Sequence, residues 1–101
     1  MNWEETPLAV EIREPGRKVD GVFVGIDARG AGLVRSTRTG GLYHTDKPLV
    51  STSTIARVLK LPRREVTAAF RRQGIAPRIR GRNPRYDLFE IARAEVQGRF
   101  L

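Results

Sequence analysis

The chain has no cysteine. That excludes a disulfide framework, a thiolate metal site and a cysteine nucleophile. Its one histidine, His44, has no companion at metal-ligand spacing and reads as an ordinary strand residue. No serine has a base placed near it in sequence, and Glu4 and Glu5 beside Trp3 form no carboxylate dyad. Without a positioned acid, base or nucleophile an enzyme is not expected; no catalytic residue, metal ligand or cofactor is assigned. Long apolar runs are also missing: no stretch approaches the ~20 residues that span a bilayer, and the start, Met1 to Glu5, is acidic rather than an apolar leader. A cytoplasmic protein, in the bacterial cytoplasm or nucleoid and off the membrane, is the expectation. Gly30, Gly32, Gly40 and Gly41 are turn glycines without the Lys-Ser or Lys-Thr of a phosphate loop.

Acid is scarce where base is dense. The net charge of +8 on 101 residues lies wholly in the second half. Residues 1–50 hold seven Lys/Arg and seven Asp/Glu, whereas residues 51–101 hold twelve and four. From Arg57 to Arg85 ten basic side chains face one acid, Glu65, and nine of the ten are arginine. Arginine can fork two hydrogen bonds onto a phosphate or a guanine edge, where lysine offers a point charge. A polyanion is the implied partner.

Three regions separate by pattern. Residues 1–18 are polar, broken by Pro7 and Pro15-Gly16, and read as an N-terminal arm or, at Val10 and Ile12, a short edge strand. Residues 19–46 read as a small antiparallel β-hairpin or meander. Val22, Val24 and Ile26 alternate as one buried face, with turns at Asp27–Gly30 and Gly40-Gly41. Residues 47–101 read as helices. Ser51-Thr52-Ser53 offers N-cap hydroxyls to a helix carrying Ile55, Ala56, Val58 and Leu59. A second helix runs from Pro62 to Gln73 with Val66, Ala69 and Phe70 inward, and Gly74 supplies a left-handed stop. Ile75 to Arg85 is a loop or tight hairpin. Asp87-Leu88-Phe89-Glu90 is a capping box that opens a last helix striped by Leu88, Ile91 and Val96.

The string Ile55 to Val66, with small Ala56 and apolar Ile55, Leu59, Leu61 and Val66 around a turn, resembles bacterial helix-turn-helix proteins. Lys60 departs from the pattern, standing where glycine is common, at a cost of about 1 kcal/mol if φ is positive. Farther on, Gln73-Gly74-Ile75 with Pro77, then Arg78 to Tyr86 and Asp87 to Ala94, resembles the winged helix-turn-helix layout of MerR-type regulators, phage excisionases and small terminase subunits. The resemblance covers residues 50–97. It implies an α+β winged helix-turn-helix domain over 47–101, preceded by the β-hairpin or meander.

On that frame Arg64, Thr67, Ala68 and Arg71 share one helix face and are the candidate base contacts in a major groove. Arg57, Arg63 and Arg72 are the candidate DNA-backbone contacts. Arg78, Arg80, Arg82 and Arg85 form a wing cluster for the minor groove or backbone. Phe70 and Phe89 read as core, and Tyr86 as packing at the base of the wing. The expected function is sequence-specific binding of double-stranded DNA by an excisionase-like protein or transcriptional regulator, with a homodimer or cooperative oligomer expected. Two alternatives stand beside it. One is a small terminase subunit or other packaging factor. The other is a protein-interaction module in which residues 19–46 bind a partner and DNA contact is secondary.

Overall fold

A computed structural model describes residues 8–96; Trp3, Glu4, Glu5 and Pro7 lie outside the described residues. The elements run β1 (Leu8–Glu14), β2 (Arg17–Ile26), β3 (Gly32–Ser36), β4 (Leu42–Thr45), β5 (Leu49–Ser51), α1 (Thr52–Leu59), α2 (Arg63–Arg72), β6 (Arg85–Asp87) and α3 (Leu88–Val96). The strands form a six-stranded sheet in the order β4-β3-β2-β1-β5-β6. The pairs β1–β2, β1–β5, β2–β3 and β3–β4 are antiparallel.

This corrects the expected fold class. The chain is a small α+β domain built on a six-stranded antiparallel sheet with three helices, and not a winged helix-turn-helix arrangement. Leu49–Ser51, in the region read as helical with Ser51 as an N-cap, and Arg85–Asp87, read as the end of the wing and the start of the last helix, are strands of that sheet. In place of a two-stranded wing, the 78–85 segment closes through a single bridge, Ile79 to Arg85.

Two units divide the chain, the boundary falling between Leu49 and Val50. In the first, β1 folds back on β2 through Pro15-Gly16, with Leu8 opposite Phe23, Val10 opposite Gly21 and Ile12 opposite Val19. Leu8, Val10 and Ile12 are buried, as the period-two alternation of a half-buried strand requires. The segment expected as an arm or short edge strand thus holds, from Leu8 on, a seven-residue strand. Gly21 lets β2 and β3 meet closely: a Cβ there would lie 2.3 Å from the Arg35 carbonyl oxygen.

A bulge between Phe23 and Gly25 shifts the register of β2 against β3. The expected buried face of Val22, Val24 and Ile26 is overturned: Val24 and Ile26 are 49% and 60% exposed. Val19, Gly21 and Phe23 lie opposite the buried Ile12, Val10 and Leu8, so the alternate residues Val22 and Val24 face the other way. Asp27 closes the β2–β3 turn, its Oδ1 accepting from the backbone N–H of Arg29 (2.8 Å) and Ala31 (2.9 Å). Its Oδ2 lies 2.9 Å from Nδ1 of His44, an exposed residue of β4.

In the second unit, Ser51 caps α1, its hydroxyl accepting from the Thr54 N–H at 3.1 Å. Lys60 ends α1 at φ 58°, ψ 43°, in the left-handed region. The Leu61 N–H then reaches back to the Ala56 carbonyl at 3.0 Å, which pairs an orphan helix carbonyl. Helix α2 buries Val66, Ala69 and Phe70, and Gly74 follows at φ 71°. Asp87 caps α3 by accepting from the Phe89 N–H at 2.9 Å. Leu88 and Ile91 are buried, as are Ile55, Ile75 and Tyr86.

Candidate nucleic-acid interface

The exposed face of α2 follows from its sequence. With Val66, Ala69 and Phe70 committed to the core, the 3.6-residue period turns Arg64, Ala68 and Arg71 to solvent, with Thr67 at the margin. The Thr67 hydroxyl donates to the Arg63 carbonyl at 3.0 Å. Its oxygen remains an acceptor and its methyl a contact for an apolar group. Arg72 and, on α1, Arg57 are also exposed.

The 78–85 hairpin is held to the starts of both helices. The Thr52 N–H donates to the Pro84 carbonyl at 3.2 Å, and the Ser53 hydroxyl to Asn83 Oδ1 at 3.2 Å. Arg63 Nη2 donates to the Arg82 carbonyl at 2.9 Å. Hence Arg63, expected on a phosphate, spends part of its guanidinium as a brace.

The four hairpin arginines divide in two. Arg78 pairs with Glu90 at 3.0 Å, which takes that acid away from the expected capping box. Arg85 is half-buried in β6 and donates to the Asn83 carbonyl. Arg80 and Arg82 are exposed at the tip, around Gly81 at φ 148°. Arg57, Arg64, Arg71, Arg72, Arg80 and Arg82 have no carboxylate partner among the described residues.

Behind these arginines sits Tyr86. Its ring lies 4.3 Å, centroid to centroid, from that of Phe70, tilted by 46°. Burial pushes the phenol pKa up, while the Thr52 hydroxyl and the charges of Arg71 and Arg80 pull it down. Thr52 Oγ1 is buried without a hydrogen-bond partner among the described residues. These links, and the brace formed by Arg63, were missed in the sequence; only the Ser51-Thr52-Ser53 hydroxyls and the Asp-x-x-Glu spacing pointed to local caps.

Among the described residues no group of three or more His, Asp or Glu stands together as metal donors, and no helix is long and apolar enough to cross a membrane. No protein-family model, curated protein or solved structure matches the chain.

Proposed function

We propose that this chain binds double-stranded DNA, with the α2 face of Arg64, Thr67, Ala68 and Arg71 toward a major groove and Arg80 and Arg82 of the hairpin tip on the adjacent backbone or minor groove. One observation carries the reading: the arginines of α1, α2 and the hairpin tip are exposed without carboxylate partners among the described residues. Unpaired surface cations of that density attract a polyanion, and arginine forks onto phosphate and guanine.

Duplex is favoured over single strands because Phe70 and Tyr86 are turned into the core, whereas single-strand binders stack bases on exposed rings. Excisionase, regulator and packaging roles were implied by the helix-turn-helix layout, so the proposal stops at DNA binding. Selection of bound duplexes from a random pool at near-physiological salt tests it. Enrichment of a defined site supports base reading, and a pool that is not retained refutes duplex binding.

A second reading gives residues 19–46 a protein contact, a second copy of the chain included. The exposed Val24, Ile26 and Leu42 of β2 and β4 favour it.

A further inference from the structure

Arg63 carries a charge, yet it meets a neutral carbonyl. It is the first residue of α2 and is exposed. Its Nη2 donates to the Arg82 carbonyl at 2.9 Å, a partner nineteen residues away in the chain. The bond holds the backbone of Arg82 and not its side chain, so the Arg82 guanidinium stays exposed for a ligand.

Two further bonds hold the same turn. The Ser53 hydroxyl donates to Asn83 Oδ1 and the Thr52 N–H to the Pro84 carbonyl, each at 3.2 Å. Arg82, Asn83 and Pro84, consecutive in the chain, are thereby tied to the starts of α2 and α1. Beside them Gly81 has φ 148°, which only glycine adopts readily. Without these ties the tip would hang from the single Ile79–Arg85 bridge.

Arg64, the next residue on α2, lies on the face read as contacting bases. The Arg63 bond therefore sets the reach from that face to the tip that carries Arg80 and Arg82. A loop held beforehand in its bound shape spares binding the cost of ordering it.

We propose that Arg63 is a positioning residue for duplex binding. It makes no phosphate contact of its own and acts by holding Arg80 and Arg82 at a set reach from α2. The proposal rests on the duplex-binding reading and names what fixes the spacing of its two contact regions.

A variant cycle on a fluorescent duplex tests it. Arg63→Ala should weaken binding roughly five-fold, the cost of ordering a short loop. In a background carrying Arg80→Ala and Arg82→Ala the same change should cost almost nothing, because the tip has no charge left to position. Ser53→Ala, which alters no charge, should weaken binding in the wild type and lose its effect in that background. No loss from Arg63→Ala, or an equal loss in both backgrounds, would overturn the proposal. A salt slope lower by about 0.9 alongside an equal loss would mark a direct phosphate contact instead.

A second arm needs no DNA. In the free protein Arg63→Ala should lower the NMR order parameters of the Arg80, Gly81 and Arg82 amides and leave those of Val66 and Phe70 unchanged. An unchanged tip would overturn the brace. A loosened tip in a protein that ignores duplexes would keep the brace and refute the DNA reading.

Discussion

Replacing Lys60 by glycine should make the protein more stable. Lys60 joins α1 to α2 at φ 58°, ψ 43°, a left-handed conformation that costs a residue with a Cβ about 1–2 kcal/mol. Glycine removes that cost but loses roughly 0.5–1 kcal/mol through the greater freedom of its unfolded chain. The Lys60 side chain is exposed, so little packing is lost, and a cation near a helix C-terminus is worth only ~0.3 kcal/mol in solvent. A net gain of about 0.5 kcal/mol remains. For a chain of this size that raises Tm by about 2–4 °C. Thermal unfolding followed by circular dichroism, with Lys60→Ala in parallel, measures it. Alanine keeps the strained φ and should not stabilise. A glycine variant no more stable than the alanine variant would refute the strain argument.

Three further outcomes are expected. Gly21→Ala should destabilise by about 1–3 kcal/mol or more, since its Cβ would sit 2.3 Å from the Arg35 carbonyl oxygen; an unchanged denaturation midpoint would contradict the β2–β3 register. The Asp27 carboxyl is held below its usual 3.8, chiefly by His44 and then by the Ala31 N–H, with a smaller contribution from the Arg29 N–H. Its stabilising contribution is therefore full above the unfolded value and disappears as pH falls through the lower folded one, so the stability gap between wild type and Asp27→Asn should close below about pH 4; a gap that widens with acid would reverse the sign. Arg64→Ala should cost about 1–3 kcal/mol of duplex binding and relax preference at one base pair, whereas Arg78→Ala, whose partner is Glu90, should cost less than Arg80→Ala; equal losses at all three would remove the division between contacting and structural arginines.

Local signals in the sequence were readable because they depend on neighbours along the chain. Ser51 as an N-cap, Gly74 as a left-handed stop and Asp87 opening the last helix all follow from side chains meeting backbone groups within a few residues. The arginine face of α2 follows from helical period alone. The sheet did not yield to such reading. Leu49–Ser51 and Arg85–Asp87 are three residues long, too short to display a period, and their strand character comes from partners far away in sequence. The alternation of Val22, Val24 and Ile26 did not say which set of side chains turns inward: Val19, Gly21 and Phe23 lie opposite the buried Ile12, Val10 and Leu8, which leaves the intervening set outside.

In the hairpin, composition showed four arginines but not what each one touches. Arg78 finds Glu90 twelve residues away, and Arg63 finds the Arg82 carbonyl nineteen away. Those pairings decide which charges remain for a ligand.

The salt dependence of duplex binding tests the central claim most directly. With Arg57, Arg72, Arg80 and Arg82 each on a phosphate, log K should fall against log salt with a slope of about −3.6. A slope near zero between 50 and 200 mM salt, or affinity unchanged when Arg71, Arg80 and Arg82 are replaced together, would contradict DNA binding by this surface.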